Sequence, residues 1–139
     1  MPYLLSNLVN GERPGSWASV AEGTQPGVGE VVLSDAEFVA KQDWVWDAIN
    51  NRLRQPTAAD HLRWAKRTKK TEFETRAEVD MRSVIPPYRL TMLIARNMSG
   101  DPRLAQATIL DQRLDRALDA IERSTSVDAV NAMRWEDQG

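Results

Sequence analysis

The rhythm of apolar and polar positions changes near residue 34. Before it, short apolar pieces, Tyr3 to Val9 and Val28 to Leu33, are separated by GERPG and GTQPGVG, and residues 1–33 hold five of the seven glycines and three of the seven prolines. Glycine and proline interrupt helices and set turn dihedrals, so this stretch is expected to be an extended arm with turns and one or two short strands. Tyr3, Leu4, Leu5, Leu8, Val9 and Trp17 give it more apolar content than a solvated tail carries. Of these, Tyr3, Leu5, Leu8 and Trp17 are candidate partner-binding residues.

From Ser34 onward the period becomes helical. Ser34, Asp35, Ala36 and Glu37 have the Ser-x-x-Glu spacing that satisfies the free N–H groups of a helix start. Phe38, Val45, Ala48, Ile49 and Leu53 follow at helical intervals, with Trp44 and Trp46 flanking, which predicts a helix of roughly 20 residues ending before Pro56. Thr57 with Asp60 caps a second helix whose apolar stripe (Leu62, Trp64, Ala65) lapses from Lys66 to Glu72 and resumes at Phe73, Ala77, Met81 and Val84. Pro86-Pro87 ends it, and PPYRLTMLIARNM reads as a buried central helix, apolar on more than one side. Ser99-Gly100-Asp101-Pro102 is a turn with a new cap. Beyond it Ala107, Leu110, Leu114, Ala117 and Ile121 alternate by three and four, the spacing of a helix packed along another helix.

The end of the chain repeats the logic. Termini tend to fray, yet Thr125-Ser126-Val127-Asp128 matches a capping pattern and Val127, Val130 and Met133 share one side of the short helix that follows. Trp135 is expected to fold back with that helix and cover the bottom of the helical body. The expected fold is therefore mainly α: an extended N-terminal arm over residues 1–33, then a compact bundle of four to five helices over residues 34–139.

Composition narrows the function classes. A chain of 139 residues with 42% hydrophobic content is the size of one ordinary domain. With 18 basic and 20 acidic residues the formal net charge is −2, so no global field draws the protein to nucleic acid or an anionic membrane. The sequence has no cysteine, which removes disulfides, thiolate metal sites and cysteine nucleophiles together. No run approaches the ~20 apolar residues of a membrane span, and the N-terminal stretch lacks the basic and apolar regions of a signal peptide. A cytoplasmic setting is expected.

Candidate chemistry is sparse. His61 is the sole histidine, which excludes multi-histidine metal sites, and its neighbours Asp60, Arg63 and Lys66 suit a solvated helix turn better than a catalytic triad. Asp111, Asp115, Asp119 and Glu122 could chelate a cation through oxygen, but they alternate with Arg113, Arg116 and Arg123 as on a solvent-facing helix with ion pairs three and four apart. GVGE lacks the lysine and spacing of a phosphate loop. No catalytic residue, cofactor or metal is implied. The sharpest local feature is HLRWAKRTKK at 61–70, where Arg63, Lys66, Arg67, Lys69 and Lys70 surround Trp64. It admits three readings: a solvated helix face, a basic patch for an acidic protein neighbour, or a site that holds phosphates and stacks a base. Glu72, Glu74, Glu78 and Asp80 follow at once and would oppose a polyanion on the same face.

GEVVLSDAEFVA at 29–40 and RLDRALDAIERSTSVDAVNAMRW at 113–135 resemble parts of small tailed-bacteriophage tail and tail-fibre accessory proteins. Val32, Ser34, Asp35, Glu37 and Phe38 match an extended segment that leads into a Ser-Asp-x-Glu-Phe helix start. Val127, Val130, Ala132, Met133 and Trp135 match a closing turn that follows an amphipathic helix and a polar link. The resemblance covers about a quarter of the chain. It implies a non-enzymatic structural component of a phage particle, in the tail or baseplate, whose partners are other virion subunits and copies of itself. The protein would reside in the virion and, during assembly, in the host cytoplasm. The alternative is a phage-encoded regulatory or nucleic-acid-binding protein using residues 52–70.

Overall fold

The computed structural model describes residues 1–96 and 100–139. It is mainly helical, with a small proportion of strand, and divides into two compact units, Met1–Asp60 and His61–Gly139. The boundary thus differs from the one expected at residue 33.

The first unit corrects two expectations. Residues 1–33 do not extend away as an arm. Strands β1 (Tyr3–Ser6), β2 (Ser16–Ser19) and β3 (Val31–Leu33) form an antiparallel sheet in the order β2-β1-β3. Tyr3 lies opposite Ser19 on one side and Leu33 on the other, and Leu5 lies opposite Trp17 and Val31. Because side chains alternate across a strand, Tyr3, Leu5, Trp17, Val31 and Leu33 share one face. The predicted 20-residue helix is the second correction. Helix α1 (Asp35–Ala40) does start on Ser34, whose hydroxyl accepts the Glu37 N–H at 3.2 Å, but it stops at Lys41. Strands β4 (Val45–Asp47) and β5 (Arg52–Arg54) follow as a hairpin.

Three local features explain the hairpin. Trp44, Val45 and Trp46 are aromatic or β-branched, types that favour strands. The Asp47 carboxylate accepts the backbone N–H groups of Ile49 and Asn50 and the Asn50 side-chain amide, which folds the chain into a turn. Asn51 takes a φ of 52°, the left-handed region that asparagine tolerates. Ile49, which the helix required on a buried stripe, is 87% exposed. Leu5, Leu33, Trp46 and Leu53 make the core of the unit. The loop after β1 is stitched to the hairpin, with the Gly11 and Trp46 N–H groups donating to the Trp46 and Glu12 carbonyls at 2.8 Å each. Gly11 can make this turn because its φ of 77° costs glycine little.

The Thr57–Asp60 cap forms as expected. The buried Asp60 carboxylate accepts the Thr57 N–H at 2.8 Å and the Thr57 hydroxyl at 3.1 Å, and Arg54 donates to it in a two-pronged pair at 2.6 and 3.3 Å. From here helix α2 (Ala58–Val84) runs 27 residues without a break through the lapse in its apolar pattern.

In the second unit Phe73 and Ala77 of α2 pack with Ala117 and Ile121 of α4 (Pro102–Arg123), with Val130 of α5 (Val127–Ala132), and with Trp135. Phe73, Ile121 and Val130 are fully buried. Each is worth roughly 1.5–3 kcal/mol against ~0.2–0.5 kcal/mol for an exposed ion pair, so the apolar stripe sets this packing. Asp101 caps α4 by accepting the Arg103 N–H at 2.9 Å, and the Ser126 hydroxyl caps α5 by accepting the Ala129 N–H at 3.1 Å. Ser99, part of the turn expected before α4, lies outside the described residues. Helix α3 (Pro87–Ala95) is not the buried central helix expected: only Leu93 is buried, while Tyr88, Met92 and Ile94 face solvent.

Candidate functional site

The sheet face of the first unit gathers three of the candidate residues. Tyr3 and Phe38 stack at 4.1 Å between ring centroids, and Trp17 meets Phe38 at 5.3 Å and Tyr3 at 5.7 Å, edge-on to the latter. The strand register explains the group, since Trp17 is the diagonal neighbour of Tyr3 across β1 and β2, and α1 supplies Phe38. Trp17 sits on an edge strand and is 62% exposed. Beside it lies a hollow of about 470 Å³, with walls from Leu5, Leu33, Pro14 and Phe38 and a rim from Arg13, Lys41, Gln42 and Asp43. Arg13 approaches Asp43 at 3.8 Å, and Lys41 approaches Glu37 at 3.8 Å while its ammonium lies 5.1 Å from the Trp44 ring. A surface aromatic over an apolar floor with a charged rim is the composition of a protein–protein contact centre, where tryptophan is enriched.

Leu8, the fourth N-terminal candidate, is half-buried against the core of the same unit. Phe38, Arg13, Lys41 and Asp43 were missed. Phe38 reads in the sequence as one more position on a helical stripe, and only pairing of the strands brings it beneath Trp17.

The basic run sits on α2 in the second unit, and its lysines turn inward. Lys66 donates to the Glu122 carbonyl at 2.6 Å, and Lys70 pairs with the Glu122 carboxylate, together tying α2 to the C-terminal turn of α4. There the helix leaves carbonyls without internal partners and carries partial negative charge, so ammonium groups are favoured. Lys70 holds the Glu122 carboxyl below its usual range, with Lys66 adding to the effect. Lys69 donates to the Met133 carbonyl at 3.1 Å, pairs with Glu72 at 2.9 Å and lies 5.8 Å from the Phe73 ring. Its stem thus covers core where the apolar pattern lapses, with the charge carried to the edge. Arg63 and Arg67 are exposed, and half-buried Trp64 meets His61 edge-on at 5.3 Å. The Asp119–Arg123 pair at 3.1 Å follows the ion-pair reading of α4, and among the described residues no cluster of side chains has the make-up of a metal site.

Trp135 is buried as expected. Its ring meets Phe73 at 5.7 Å, its indole N–H donates to Asp80 at 2.7 Å, and the Arg113 guanidinium lies 4.2 Å above it while donating to the Trp135 carbonyl.

No protein-family model matches the chain, and searches of curated proteins and of solved structures return no significant match.

Proposed function

We propose that the chain is a non-enzymatic structural component of a bacteriophage particle, in the tail or baseplate, that holds neighbouring subunits through its N-terminal unit and its helical body. The observation that carries the interaction role is Trp17, an exposed indole on a sheet edge above an apolar hollow with a charged rim. Burying such a side chain against a neighbour contributes what interface hot spots contribute. The phage assignment rests on the resemblance at residues 29–40 and 113–135. The regulatory or nucleic-acid-binding reading has less support, because Lys66, Lys69 and Lys70 already serve carbonyls and carboxylates of their own chain. Mass spectrometry of purified particles tests the proposal, with Trp17→Ala protein followed through assembly. The chain is expected in particles made with the wild type and depleted from those made with the variant. Its absence from wild-type particles, or equal incorporation of both proteins, overturns the reading.

A further inference from the structure

The second unit carries two surfaces that complement each other and cannot meet within one copy. The first is an apolar groove of about 280 Å³ where α2, α3 and α4 converge, floored by Met81, Ile85, Leu90 and Leu114. This is below the roughly 300–1,000 Å³ of small-molecule sites and is suited to inserted side chains. Its rim bears Glu74 and Asp111, which make no hydrogen bond or ion pair among the described residues, and the Glu78–Arg82 pair, closed on itself at 2.6 Å. The groove therefore presents two uncompensated carboxylates around an apolar floor.

The second surface is the outer side of α3. Leu90 and Leu93 occupy its inner side, which leaves Tyr88 and Met92, four apart and on one stripe, 73% and 40% exposed. Arg89 and Arg96, seven apart, lie along one side of this stripe; neither forms an ion pair among the described residues, although Arg89 is near enough to Asp101 to help hold its carboxyl down. Two apolar side chains with two guanidinium groups along one side match the groove in polarity and in sign of charge.

We propose that the α3 face of one copy docks into the groove of a second copy, with Tyr88 and Met92 on the apolar floor and Arg89 and Arg96 against Glu74 and Asp111. The mode is a helix set into a groove, with charge fixing register. Two such contacts made reciprocally close a two-fold dimer, whereas one contact per pair runs head-to-tail into a ring or a filament. The contact stands independently of the particle assignment and of Trp17.

Charge reversal tests it in the isolated protein. Sedimentation equilibrium should show wild-type self-association in the micromolar range. Glu74→Lys with Asp111→Lys, and separately Arg89→Glu with Arg96→Glu, should each weaken it at least about tenfold, since each places like charges face to face. Mixing the two folded variants should restore association, as should the quadruple variant alone. Tyr88→Ala with Met92→Ala should weaken association without changing any charge. A wild type that stays monomeric overturns the proposal. So do reversals that leave association unchanged, or two variants with native circular dichroism that fail to rescue each other.

Discussion

Trp17 and Trp135 are the same residue in opposite situations. Trp17 stands on an edge strand of a small sheet with most of its ring in water, whereas Trp135 is 3% exposed and held on several sides by Phe73, Arg113 and Asp80. The difference follows from the units around them. The first is built from strands of three and four residues, which offer few positions behind any one face. The second has helices of 27 and 22 residues whose stripes leave a trough that a returning tryptophan fills. In the first unit it is Trp46, on the hairpin, that is buried in the core, while Trp17 on the sheet edge stays in water.

The sharpest way to break this contrast is Trp135→Ala. It should cost about 3–5 kcal/mol, the range for truncating a buried large aromatic, because it opens a cavity beside Phe73 and removes the partner of Asp80. A melting temperature near wild type would place the indole outside the core. Next is Asp60→Ala, which removes the carboxylate half of the α2 capping box and the ion-pair partner of Arg54. The loss should be about 2–3 kcal/mol, below the roughly 3–5 kcal/mol of a fully buried pair because Arg54 still reaches water; chemical denaturation followed by circular dichroism measures it. Trp17→Ala should change stability by less than about 1 kcal/mol, the scale of the ring contacts it loses, while reducing association with neighbours. A large destabilisation would make Trp17 a core residue like Trp135.

The smallest effect concerns Asp101. The Arg103 side chain, and then its backbone N–H, hold this carboxyl down at about 2, against an ordinary value of 3.8. A depressed carboxylate stabilises the fold above its unfolded pKa and loses that contribution as pH falls through the folded value. The helical signal of the wild type should therefore weaken between about pH 4 and pH 2. Asp101→Asn, which keeps a capping side chain but cannot titrate, should flatten that part of the profile. An identical acid transition in the variant would exclude Asp101 as a contributor.

What the sequence determined by itself is the punctuation of the chain. Ser34, Thr57 with Asp60, and Asp101 mark helix starts, Thr125 to Asp128 marks another within one residue of its cap at Ser126, and Pro86-Pro87 marks a stop, because capping and proline sterics involve atoms only a few residues apart. The stripe from Ala107 to Ile121 was legible for the same reason, as was the docking of Trp135, reached by a short link that makes fold-back inexpensive in loop entropy. Tertiary structure decided the rest. Residues 45–54 fit a helical stripe in one dimension, yet they form a hairpin because Trp46 and Leu53 gain a core with Leu5 and Leu33, 13 to 48 positions earlier in the chain, that a lone helix could not offer. Lys66, Lys69 and Lys70 read as a basic surface until the C-terminal end of α4 and the carbonyl of Met133 arrive beside them. Local chemistry is written between neighbours in sequence, whereas the use of an aromatic face or a charge depends on which distant segment the fold brings against it.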